Sequence, residues 1–233
     1  MCQFKSAICL KDRVFVPDYD SHSKMLEELH IEDDFVHASK VFVRVELVPE
    51  DGDKTSDVDE WKLNVDQDVL PDWWNENDCL PRIKAAVKAW CDTHILRDGM
   101  HTVRDGVWYA YGSTNVEAYG SASVCAYDKS SVRAYDKSSV CAYDKSSVRA
   151  YDKSSVYACN SASVEVYGSA SVYAYDKSSV EAYDNTSVEA YCSTRVFLPK
   201  GLQTNQPVLL YDEAICINYK DHTIQSPVKW EQK

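Results

Sequence analysis

The chain has 233 residues, of which 45% are hydrophobic and 27% charged, a globular composition with length for one large domain or two small ones. No run approaches the roughly 18 apolar residues that a membrane span needs, and no secretory signal pattern is present, so a soluble cytoplasmic protein is expected. With 25 Lys and Arg against 37 Asp and Glu, net −12, the chain lacks the basic footprint on which direct nucleic-acid binding depends. Nine cysteines, an odd number without a C-x-x-C pair, read as reduced packing thiols rather than a disulfide framework or zinc ribbon.

The first hundred residues have ordinary complexity and predict an α/β domain over 1–103. FKSAICL (4–10) and RVFVP (13–17) read as strands joined at Lys11-Asp12. A short helix is expected over 21–30, with Ser21 or Ser23 as N-cap and Met25, Leu26 and Leu29 as its apolar stripe. Strands follow at 40–48 and 61–65 around the loop PEDGDKTSDVDE. A helix over 81–96 starts at Pro81 and carries Ile83, Val87, Trp90 and Ile95 near helical spacing.

From Val107 to Pro199 the chain is a run of octads of the form SVxAYDKS, with valine every eight residues from Val116 to Val196 and Trp108 extending the register backwards. In an extended chain Val and the Ala two residues later share one face, which predicts that both point inward. The residue between them and the Tyr after Ala take the other parity and are expected outward. After Tyr comes Asp, Gly or Asn, residues that replace one another chiefly where the backbone visits the left-handed region of a turn. Each octad is therefore a short strand and a corner, with the Ser, Ala or Thr six residues after Val also turned inward. Reading alternate octads gives Tyr109, Cys125, Cys141, Tyr157, Tyr173 in one series and Glu117, Arg133, Arg149, Glu165, Glu181 in the other. That alternation predicts sixteen residues per coil, hence a mainly β fold: a two-sided parallel β-solenoid over 104–199, of about six coils. A three-sided coil of 24 residues is the alternative. Alternation in Val208–Tyr211 and Ala214–Tyr219 predicts a small C-terminal β cap over 200–233.

No P-loop, dinucleotide fingerprint or H-E-x-x-H motif occurs, and Cys91 with His94 is too small a ligand set for a metal centre, so no cofactor, metal or catalytic residue is expected. An enzyme in the leader would have to use carboxylates such as Asp66, Asp68 and Asp72. Two binding surfaces are the candidates. The first is acidic: residues 1–100 hold 22 Asp and Glu against 12 Lys and Arg, and Glu50, Asp51, Asp53, Asp57, Asp59 and Glu60 cluster in one loop. Such a surface either solubilises the chain or imitates the phosphates of nucleic acid. The second is the solenoid face, where Tyr119, Tyr135 and Tyr151, with Tyr127 and Tyr143, form aromatic ladders beside Arg133 and Arg149.

The octad SVxAYDxS, following SAICLKD, PDYDSHSKMLEEL, ASKVFVRVEL and WKLNVDQDVLPDWW, resembles a group of uncharacterised octapeptide-repeat proteins of gut bacteria and their phages over almost the whole chain. Cys159 in place of Tyr, Val166 in place of Ala and Cys192 at a corner depart from the octad. The resemblance implies a mobile-element origin and a bacterial cytoplasm, and it supplies no catalytic residue. The expected function is a non-enzymatic binding or scaffold protein that contacts another protein or a second copy of itself, with no membrane. The rival is a phage inhibitor of a host nucleic-acid-handling or defence enzyme, acting through the acidic surface.

Overall fold

A computed structural model describes residues 4–199, 208–220 and 222–227. The chain divides into two compact units, 1–94 and 95–233.

The first unit is built on a four-stranded antiparallel sheet: β1 (Lys5–Leu10), β2 (Val14–Phe15), β3 (Phe42–Val48) and β4 (Lys62–Val65), in the order β2-β1-β3-β4. All six residues of β1 are buried, because both faces of the strand are covered. Helix α1 (His22–Glu28), capped by the Ser21 side chain, sets Met25 and Leu26 against Ile8, Leu10 and Phe42. Helix α3 (Glu76–His94) contacts β1 and brings Trp90 over the buried Lys5 ammonium, 4.5 Å from the ring centroid. Lys5 Nζ also donates to Asp20 Oδ1 at 2.8 Å. Burial lowers the Lys5 pKa, and the Asp20 carboxylate opposes that shift. A four-residue helix, α2 (Phe35–Ala38), is capped by Asp34 and had no counterpart in the apolar periodicity. Helix α3 begins five residues before Pro81: the Asn75 side chain accepts the Asn77 N–H at 3.0 Å and caps it, so Pro81 lies inside the helix instead of opening it. Its other end stops at His94, where Ile95 and Leu96 become a strand.

The second unit is a parallel β-solenoid of about seven turns and about sixteen residues per coil, which settles the choice against the 24-residue coil. Strands 131–134 and 147–150 pair with Val132 on Val148 and Ala134 on Ala150, and strands 123–126 and 139–142 pair with Val124 on Val140 in the opposite sheet. The two sheets start before the octads: Ile95–Leu96 and Met100–Val103 pair with the first octad strands, and His101 takes a valine slot opposite Val116. These irregular rungs raise the coil number above the six that twelve octads suggest. At the other end Val208–Leu210 and Ile215–Asn218 add parallel rungs, and Thr223–Gln225 turns back antiparallel as a strand cap. The core is thin and uniform. Inward Val and Ala from both sheets are almost wholly buried from Val116 to Val196.

Ladder hydrogen bonds continue through the corners. Lys145 N–H donates to Asp128 O at 3.0 Å and Lys153 N–H to Asp136 O at 3.0 Å, so the turns pair with one another as the strands do. The corner residues carry positive φ, as the exchange of Asp, Gly and Asn predicts: Asp136 at 57°, Asn160 at 60°, Gly120 at 61°. At Gly120 a Cβ would lie 2.6 Å from Arg104 O, which leaves no room for a side chain. The aspartates have a second task that the sequence did not announce. Each carboxylate reaches the corner amide one coil earlier, Gly120 N–H donating to Asp136 Oδ2 at 2.9 Å and Asn160 N–H to Asp176 Oδ2 at 3.0 Å. The inward hydroxyls of Ser130, Ser138 and Ser154 donate to the Tyr carbonyls three residues before them at 2.6–2.7 Å, which satisfies these buried hydroxyls.

Two substitutions separate these roles. Asp136→Ala removes the acceptor for Gly120 N–H and leaves alanine in the left-handed region, and should destabilise the second unit by about 1–3 kcal/mol. Cys192, at φ 55°, has no conformational preference for that region, so Cys192→Gly should stabilise by about 0.5–1 kcal/mol. Denaturation midpoints followed by circular dichroism give both signs.

Candidate functional site

The tyrosines share the outward parity of the residue between Val and Ala, and their hydroxyls reach the outward glutamates two residues earlier. They sit where each strand enters its corner and lie half-buried on one another. On the nine-stranded sheet Tyr119, Tyr135, Tyr151, Tyr167 and Tyr183 stack at centroid distances of 4.8, 5.0, 5.1 and 4.5 Å with nearly parallel rings. Arg104 lies over the Tyr119 ring at 5.4 Å and closes that end. On the eight-stranded sheet Tyr111, Tyr127 and Tyr143 stack at 4.6 and 5.2 Å, and Tyr175, Tyr191 and Tyr211 at 4.7 and 4.5 Å. Cys159 interrupts this second ladder. Tyr157 leans into the break and meets the Tyr175 ring at 4.9 Å with a 37° tilt.

The positions midway between Val and Ala lie on the same outward side, with Arg133 and Arg149 exposed and Glu117 and Glu165 half-buried, while Tyr109 in strand 107–110 is buried. On the nine-stranded sheet they read Glu117, Arg133, Arg149, Glu165, Glu181 along the axis. Arg149 makes a two-pronged contact with Glu165, Nε to Oε2 at 3.0 Å and Nη2 to Oε1 at 3.2 Å, while Arg133 Nη1 lies 3.6 Å from Glu117 Oε1. Tyrosine hydroxyls donate to the glutamate two residues earlier, Tyr167 to Glu165 at 3.0 Å and Tyr183 to Glu181 at 3.0 Å. Burial and these carboxylates raise the pKa of both phenols. Tyr191 is pushed up to about 12, chiefly by its bond to Glu189. These three phenols thus stay neutral and bonded through the physiological range. Of the candidate residues, Tyr119, Tyr135, Tyr151, Arg133 and Arg149 come together on one sheet; Tyr127 and Tyr143 lie on the other.

Much of the acidic loop is spent on its own construction. Asp53 Oδ1 accepts from Thr55 N–H at 2.8 Å and Thr55 Oγ1 at 2.7 Å, and Asp57 caps the 3-10 turn Val58–Glu60 through Asp59 N–H. Lys88 of α3 stands 3.9 Å from both Asp57 and Asp59, and Lys84 of α3 donates to Asp59 O. Glu50 lies in a second such turn, Glu50–Gly52, which also contains Asp51; Glu50 and Glu60 are exposed.

On the eight-stranded sheet Cys125 and Cys141 are direct neighbours at the outward position. A hydrogen bond from Cys125 and another from Tyr143 pull the Cys141 thiol down to about 7, against burial. The signal was present in the sequence, since both cysteines occupy the outward slot of consecutive coils. Iodoacetamide should therefore alkylate Cys141 with a rate midpoint near pH 7, the thiolate being present above it, and Tyr143→Phe should move the midpoint upward. Peptide mass mapping across pH 5–10 reads both.

Among the described residues no helix is long and apolar enough to cross a membrane. Comparison with protein-family models, curated proteins and solved structures gave no match, so function is read from these surfaces alone.

Proposed function

We propose that the protein is a non-enzymatic binding or scaffold protein, of phage or other mobile-element origin and working in a bacterial cytoplasm, that acts through protein contacts along the nine-stranded face of its solenoid. The observation that carries the reading is the alignment of the Tyr119–Tyr183 ladder beside the Glu117–Arg133–Arg149–Glu165 row. Tyr and Arg are the side chains that dominate interface energetics, and here each is held in place by its neighbour one coil away. A surface ordered before binding loses little conformational freedom on association. The periodic spacing suits a partner with a matching repeat, and a second copy of this chain is the simplest such partner.

The test is affinity capture from a bacterial lysate, with purified untagged chain added, at 0.1 and 0.5 M NaCl. Capture of a protein, or of the untagged chain, that survives high salt and is lost in Tyr135→Ser/Tyr151→Ser supports the proposal. Exposed Asp59 and Glu60 are the residues to reverse on the loop, since Asp53 and Asp57 build it. Capture that vanishes at high salt and in Asp59→Lys/Glu60→Lys, yet tolerates the tyrosine changes, overturns it in favour of an acidic inhibitor of a nucleic-acid-handling enzyme.

A further inference from the structure

His22, Glu46 and Asp66 come from three separate elements of the first unit: the start of α1, the middle of β3 and the residue after β4. One ligand-type atom of each lies within 4.8 Å of the others. The His22 side chain is only 10% exposed and both of its ring nitrogens are engaged. Nε2 stands 3.2 Å from Val45 O. A carbonyl can only accept, so Nε2 carries the proton and donates. Nδ1 stands 3.1 Å from Asp66 Oδ2. The Glu46 carboxylate brings a second oxygen donor to the same place.

We propose that His22, Glu46 and Asp66 bind a divalent first-row transition-metal ion of the Zn2+ or Co2+ kind. One imidazole nitrogen and two carboxylates form a mixed N/O donor set that suits such ions, and their mutual span is near what metal–ligand bonds of about 2.0–2.2 Å allow. The surroundings have the form of a supported metal site. A ligating histidine is oriented by donating its other N–H to a backbone carbonyl, the task Val45 O performs here. The Glu46 carboxylate is held by Asn64 Nδ2 at 2.9 Å. Asp66 is 57% exposed, so the ion has a route in and keeps water on its open side. The ion would tie α1 to the β3–β4 pair.

Co2+ is the probe, because thiolate ligation by the nine cysteines adds an intense near-ultraviolet charge-transfer band that N/O ligation lacks. Titrating the full chain at pH 7.5 should fill one site with weak visible bands and no added charge transfer. His22→Asn and Asp66→Asn should each abolish those bands, and Asn64→Ala should weaken binding about tenfold. A measurement on the unaltered chain guards against misfolded variants: the 15N spectrum of the His22 ring under excess Zn2+ should show Nδ1 coordinated and Nε2 protonated. Bands that survive both substitutions, or an Nδ1 that stays protonated under excess Zn2+, overturn the site.

Discussion

From Val107 to Leu198 the second unit depends on one constraint: each coil repeats the backbone of its neighbours at all sixteen positions, because hydrogen bonds link the coils through corners as well as strands. Tyr127 N–H donates to Ala110 O, Lys129 N–H to Gly112 O and Ser131 N–H to Thr114 O, so strand end, corner and next strand start all pair with the coil before. Departures lie at the ends of the run, where Ile95 pairs with Tyr109, Met100 with Asn115 and Val188 with Val208. Uniform length holds for the octad coils between them, and with it the monotony of the sequence.

That constraint also sorts residue types. Inward positions face their counterparts across a thin core and along the axis, which favours Val and Ala over larger residues. The corner needs a residue at home in the left-handed region, and aspartate brings in addition an acceptor for the amide of the previous coil. Tyrosine in the same slot of successive coils stacks, each contact adding about 0.5–1.5 kcal/mol beyond burial. The ladder contributes to stability and creates a surface at once. The proposed function rests on that second consequence.

What the sequence made legible is whatever the repeat states many times over. Strand, corner and sixteen-residue coil could be read because Val, Ala and Asp recur and because the outward slot alternates. Single occurrences were harder. The rungs at 95–96 and 100–103 carry His101 in a valine slot, so no octad betrays them. Pro81 drew the start of α3 to itself, although Asn75 supplies the cap. Strand parity put the tyrosines outward, and stacking on the ring one coil away leaves them half-buried there. The acidic loop looked like one field of charge; Asp53 and Asp57 serve its turns, and Lys88 stands among the rest. His22, Glu46 and Asp66 are far apart in the chain, and only the pairing of β3 with β4 and the packing of α1 bring them together.

The sixteen-residue coil is the central claim, and the native cysteines test it directly. A bridging reagent that spans a few ångströms between thiols, such as dibromobimane, should join Cys125 to Cys141, neighbours in adjacent coils. Recovery of the bridged 125–141 peptide from the folded chain is the expected result. A bridge from Cys125 to residue 149 in Cys141→Ser/Arg149→Cys, with none between Cys125 and Cys141 in the native chain, would mean a 24-residue coil and contradict the account.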